Sequence, residues 1–280
     1  MVMISQVAPI KTVSGKSYAA TSATIIDTRQ MNLIADDFQQ IRFSDPETGL
    51  LPPYNLFVPK DYDESKSYPL ALFVHDAVVT GTNPLRTLQQ GLGAISFASP
   101  ADEKKHPAFV LAPQYPVAIA NDASQTIDYA KVTVRLIHDL KDRYKIDAGR
   151  LYTTAQSGGC MTSVVLNIKY PDLFAASLLV AGQWYPAQVA PLFKTKIWIV
   201  VSQDDGKAYP GVEAIAKVLE GNGGKVTRGL WNGRSNDAGF RSGVEAMLKE
   251  GEDSNIFYTA FQQGTVMPSG LKANGGAGPV

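Results

Sequence analysis

Apolar residues in this chain fall in short, nearly unbroken runs separated by stretches of helical periodicity. Residues 54–58, 70–74, 109–112, 151–154, 177–181, 197–201, 225–230 and 256–261 form such runs, and several show no polar alternation. That is the pattern of strands covered by helices on both faces. Within 126–144, Ala130, Val134, Ile137, Leu140 and Tyr144 recur at helical spacing, with Arg135, Lys141 and Asp142 largely on the other faces. A second helix is expected from just after Ser157 to about Lys169, stopped by Pro171 because the residue before a proline disfavours helical geometry. A third covers 212–220 and ends in Gly221-Asn-Gly-Gly224, and a fourth covers 241–249 and ends before Gly251. Strands alternating with helices imply an α/β protein with a mostly parallel sheet wrapped on both sides. Residues 1–37, rich in Thr, Ser and β-branched side chains, read as a small N-terminal β extension on a main domain spanning 38–280.

Composition narrows the function. The chain has 280 residues, 45% hydrophobic and 19% charged, enough for one large domain with a substantial core. A net charge of zero, with no basic stripe, argues against a nucleic-acid partner. The single cysteine, Cys160, forms no intramolecular disulfide, and no metal-type Cys/His spacing exists, so no metal site is expected. Cys160 itself reads as a small packing residue. The first residues lack the basic and apolar regions of a signal peptide. No run approaches the ~18 apolar residues of a membrane helix. A soluble protein without a membrane partner is expected, in the form given or as the mature form of an exported protein; oligomeric state is left open.

The densest chemistry lies in Arg150-Leu-Tyr-Thr-Thr-Ala-Gln-Ser-Gly-Gly-Cys160: an apolar strand, a turn of small residues, then a helix. Ser157 sits at the apex of a near match to G-x-S-x-G, with Ala155 in the first glycine position. A strand-to-helix elbow presents a hydroxyl that needs a partner to deprotonate it. An oxyanion next to it requires preset N–H donors. Gly158 at the helix start offers one, and the loop His75-Asp-Ala-Val-Val-Thr-Gly81 offers the other through Asp76 or Ala77. The Asp76 carboxylate is then an unusual neighbour, and His75 reads as structural. An orienting acid is expected just past the strand at 197–201, where Ser-Gln-Asp-Asp-Gly206 provides Asp205, with Asp204 as the alternative. Gln156, Trp184 and Tyr185 lie near strand carboxyl ends, where ligands bind in open α/β sheets, and are candidates for a substrate pocket. The base is the difficulty. His75, His106 and His138 all precede Ser157, His106 in a loop and His138 in the middle of a helix.

These segments together resemble a known group. The carriers are His138-Asp-Leu-Lys-Asp-Arg-Tyr-Lys-Ile-Asp147, Arg150-Leu-Tyr-Thr, the Gln-Ser-Gly-Gly elbow and Tyr170-Pro-Asp-Leu-Phe-Ala175. Tyr54-Asn-Leu-Phe-Val-Pro-Lys-Asp-Tyr62, Leu72-Phe-Val-His-Asp76 and Phe109-Val-Leu-Ala-Pro-Gln114 fit the same pattern. Over roughly residues 38 to 261 the chain is similar to bacterial α/β-hydrolase carboxylesterases of the polyhydroxybutyrate-depolymerase-like and feruloyl-esterase-like group. The resemblance implies an α/β-hydrolase fold, a Ser–Asp–His triad, and cleavage of small or polymeric carboxylic esters through an acyl-enzyme without a cofactor. It also implies Gly at 155 and 76, and a histidine after the last strand followed by a closing helix. Phe261 leads instead into a loop-like tail without histidine, so the closing histidine loop and helix are expected to be absent from the sequence as given, which is either cut short or a variant lacking its base, and its esterase activity is expected to be weak or nil. A non-catalytic binding protein and a peptidase, both of the same fold, are the alternatives.

Overall fold

The computed structural model describes residues 34–90 and 92–267. Nine strands form one sheet: β1 (Gln39–Arg42), β2 (Pro53–Phe57), β3 (Tyr68–Val74), β4 (Phe109–Pro113), β5 (Ile146–Gln156), β6 (Ala176–Val180), β7 (Ile197–Ser202), β8 (Val226–Trp231) and β9 (Ile256–Phe261). Their order is β1-β2-β4-β3-β5-β6-β7-β9-β8. The β1–β2 and β2–β4 pairs are antiparallel and all others parallel. Six α-helices accompany the sheet: α1 (Leu85–Gln89), α2 (Pro100–Glu103), α3 (Tyr129–Arg143), α4 (Gly158–Lys169), α5 (Ala208–Gly221) and α6 (Asp237–Glu250). This is the mostly parallel α/β architecture expected from the apolar runs, in the arrangement that the resemblance to α/β-hydrolases implies.

The unbroken runs have a direct physical origin. Successive side chains of a strand point to opposite faces, and β3 feeds two cores. Leu70, Leu72 and Val74 join a large cluster with α3, α4 and α5 residues such as Ile137, Val164 and Leu219. Phe73 joins a smaller one with Phe57, Val110, Leu88 and Ile95. All eight expected strands and all four expected helices are present. The sequence pattern missed β1, an edge strand whose Gln39-Gln-Ile-Arg42 has a single apolar residue. It also missed α1 and α2, which are too short to show a helical period. Most of the expected N-terminal β extension, residues 1–33, lies outside the described residues. Of its last four residues, 34–36 form a helical turn, and the following Phe38 packs against Phe57 with ring centroids 5.6 Å apart.

The connection between β1 and β2 is tied to α3 by one buried ion pair. Arg135 donates through Nε to Asp45 Oδ1 at 2.5 Å and through Nη2 to Oδ2 at 2.8 Å. Asp45 is 1% exposed and also accepts from the Thr48 backbone and hydroxyl. Hydrogen bonding from the Arg135 guanidinium outweighs burial and holds the Asp45 carboxyl at about 2. The folded value lies below the unfolded value near 3.9, so this stabilisation is complete above about pH 4 and is lost as pH falls toward 2. Asp45→Asn is expected to lower the unfolding free energy at pH 7 by about 3 kcal/mol, since it leaves a guanidinium without its main partner. Urea melts of the two proteins at pH 7 and near pH 2 check this: the gap should close at the acid end.

Candidate active site

Ser157 follows the last residue of β5 and precedes the first of α4, with φ 54° and ψ −118°. Among the described residues only Ser124 and Ala181 share a positive φ without being glycine. Such a backbone costs about 1–3 kcal/mol and persists only where the surroundings over-determine it. Here the Ser157 N–H donates to Val180 O at 2.9 Å, and the Met161 N–H donates to Ser157 O at 3.1 Å. Glycines make the turn possible by close approach. A Cβ at Gly159 would stand 2.0 Å from Val74 O and 2.6 Å from His75 O. A Cβ at Gly182, just past β6, would meet Cys160 Sγ at 2.6 Å. Ala155 lies within β5, paired with Val74 and Leu179 and 1% exposed, so its methyl is absorbed by the core.

The loop after β3 brings a second backbone to this turn. Ala77 N lies 3.0 Å from where a Cβ on Gly158 would be. The Asp76 N–H donates to Gln90 Oε1 at 2.8 Å and is engaged. The Ala77 N–H has no partner among the described residues, and the Gly158 N–H, in the first turn of α4, has none within its helix. Of the two amides expected from the sequence, the geometry therefore leaves Ala77 free beside Gly158. A recess lined by Val74, His75, Tyr115, Ile119 and Thr162 adjoins both residues. Arg86 and Gln114 brace the loop: Arg86 donates to Thr80 O at 2.6 Å and Val78 O at 3.1 Å, and Gln114 donates to Val79 O at 2.8 Å. Gln90, Arg86 and Gln114 escaped sequence reading because what they hold is backbone, which leaves no motif.

His75 is 4% exposed, and both ring nitrogens are occupied. The Tyr115 N–H donates to Nε2 at 3.0 Å, so the ring proton sits on Nδ1, which is 2.7 Å from Asp76 O. Burial pushes its pKa below the ordinary histidine value, which keeps the ring neutral. A histidine with both nitrogens committed to backbone is no base for Ser157. His106 is exposed, pairs with Asp102 at 3.0 Å, and precedes β4 at the opposite edge of the sheet from the elbow. His138 is exposed on α3.

The two candidate acids separate cleanly. Asp205 is 5% exposed, and its Oδ1 accepts from the Lys207 N–H at 3.0 Å and the Ala208 N–H at 2.7 Å. This seats the carboxylate at the positive end of α5 and leaves Oδ2 without a partner among the described residues. Asp204 instead spends Oδ2 on the Gly264 N–H at 2.7 Å, while Gln203 Oε1 accepts from the Gln263 N–H at 3.0 Å. These contacts pin the chain just after β9.

The expected pocket residues part ways. Trp184 is 3% exposed in the main core, its indole N–H on Gln188 Oε1 at 2.9 Å, whereas its neighbour Tyr185 is 58% exposed. Gln156 is half-buried beside Val180. Cys160 is buried, its thiol pushed up to about 12, the behaviour of an inert packing residue. Among the described residues no cluster of three His, Cys, Asp or Glu could hold a metal ion, and no helix is long and apolar enough to cross a membrane.

Replacing Ser157 separates strain from chemistry. Ser157→Gly is expected to be more stable than Ser157→Ala by about 1 kcal/mol, because only glycine accepts the positive φ without penalty. Thermal or urea melts of the two variants check this.

No protein-family model and no curated protein matches the chain by sequence. Solved structures do. A thermostable esterase is 27% identical, with a TM-score of 0.69 and 91% of this chain covered; the chain spans 62% of that protein's length. A feruloyl esterase module from Clostridium thermocellum in complex with sinapinate is 12% identical, with 81% of each chain covered and a TM-score of 0.56. A ferulic acid esterase from the anaerobic fungus Anaeromyces mucronatus is 12% identical, with 81% of this chain and 82% of that one covered and a TM-score of 0.52. The chain has the α/β-hydrolase fold, and the solved structures it is similar to include esterases of that fold.

Proposed function

We propose that this chain carries the acylating half of a serine carboxylesterase. The observation behind the proposal is the strained Ser157 backbone beside two amides, Ala77 and Gly158, that have no partner among the described residues. In this reading Ser157 Oγ attacks an ester carbonyl, and the two N–H groups hold the oxyanion that develops. The Ser157 proton passes by way of solvent or added imidazole to the leaving oxygen; collapse of the tetrahedral intermediate breaks the ester C–O bond, expels the alcohol and leaves an acyl-Ser157, which water then hydrolyses to the carboxylic acid and free serine. Asp205, with its free Oδ2, is the acid that would orient and stabilise an imidazolium. The substrate is a small or polymeric carboxylic ester.

None of the three histidines is placed to take the Ser157 proton, so turnover by this chain is expected to be slow, supported only by the oxyanion donors and binding. A non-catalytic binding protein is the rival reading, favoured by the commitment of His75 to the loop backbone. Hydrolysis of p-nitrophenyl acetate decides between them when followed with and without added imidazole, against Ser157→Ala. The expected result is slow turnover that imidazole accelerates, with the acceleration in excess of free imidazole lost in the variant. Identical rates for the two proteins under both conditions would favour the binding protein.

A further inference from the structure

We infer that His75 is a positioning residue that aims the Ala77 N–H through the peptide group joining Asp76 to Ala77. The inference rests on the reading of Ala77 and Gly158 as the oxyanion donors. A trans peptide is planar, with C=O and N–H pointing in opposite directions. Whatever fixes the Asp76 carbonyl therefore fixes the Ala77 N–H. That carbonyl accepts from His75 Nδ1 at 2.7 Å and, at 3.2 Å, from the Val79 N–H. The preceding peptide is held by the Asp76 N–H on Gln90 Oε1 at 2.8 Å.

The ring is itself aligned from the neighbouring strand. Tyr115, two residues past β4, donates its N–H to His75 Nε2 at 3.0 Å and lays its own ring 5.5 Å from the imidazole. Its hydroxyl lies 2.6 Å from the Thr133 hydroxyl on α3. The order of transmission is thus α3, Tyr115, His75, the Asp76 carbonyl, the Ala77 N–H. Only one tautomer suits it, with the proton on Nδ1. The charged side chains acting on the ring are the Asp76 carboxylate and the Arg86 guanidinium.

Two isosteric variants split the ring's functions. Asparagine places an amide near the Nδ1 position and nothing at Nε2; glutamine reaches the Nε2 position and leaves Nδ1 empty. The positioning role predicts that His75→Asn retains Ser157-dependent, imidazole-assisted ester cleavage within about threefold. His75→Gln should keep the Tyr115 contact yet lose tenfold to a hundredfold, with the fall in kcat rather than KM, because a misaimed oxyanion donor is felt in the transition state. Crystal structures of the variants should show the 76–77 peptide turned in His75→Gln and unchanged in His75→Asn. An unturned peptide in His75→Gln, or an equal loss in both variants, overturns the inference. So does 15N NMR of the wild-type chain if it shows the Nε2-protonated tautomer, a result that needs no variant to fold. Absence of Ser157-dependent cleavage in the wild type would instead defeat the esterase reading, while the peptide direction and tautomer still judge the role of His75.

Discussion

The first turn of α4 runs against the carboxyl end of β3 at backbone-to-backbone distance, and the rest of the site is arranged around that approach. A single Cβ at Gly159 would sit 2.0 Å from the Val74 carbonyl oxygen. Parallel pairing of Val74 with Ala155 sets the height at which β5 ends relative to β3. The chain must then reverse into α4 within one residue, and Ser157 takes the positive φ that this requires. The same approach places Ala77 beside Gly158, so the strained serine and the two free amides share one geometric cause. Strain of about 1–3 kcal/mol is small against the burial of β3, six of whose seven residues are buried, which is why it can be kept.

Electrostatics then sorts the polar groups around the turn. Two of the helices that follow strand carboxyl ends, α4 and α5, differ in what stands at their first turns. The Gly158 N–H at the start of α4 has no partner among the described residues, whereas the start of α5 is occupied by the fixed charge of Asp205. His75 lies between β3 and β4 in a site that disfavours a charged ring, so it remains a neutral donor and acceptor. Asp204 and Gln203 use their side chains to hold backbone after β9. His75, Gln90 and Gln114 thus support backbone, whereas Asp205 keeps one carboxylate oxygen without a partner among the described residues.

The strands were legible because burial on both faces leaves runs without polar interruption, and β1 was hidden because an edge strand needs no such run. The elbow was legible from Ser157 and Gly159 despite Ala155, whose methyl falls inside β5, where the sheet has room for it. The choice between the Asp76 and Ala77 amides was not legible, since it turns on Gln90, fourteen residues further on. The sequence preferred Asp205 but kept Asp204 as an alternative, because what distinguishes them is burial and which backbone groups reach them. Trp184 and Tyr185 make the same point, adjacent in sequence and yet one in the core and the other in solvent. Motifs record where the chain must turn; which atoms remain unpaired is a property of distant partners.

The central claim is that Ser157 is the one hydroxyl this fold prepares for attack. Peptide mapping after incubation with an alkyl fluorophosphonate tests it most directly, because the product marks the reacting atom itself. Slow phosphonylation of Ser157 alone is expected, faster with added imidazole and absent in Ser157→Ala. Modification of a different residue at a comparable rate, or an unmodified Ser157 after prolonged exposure with imidazole present, would contradict it.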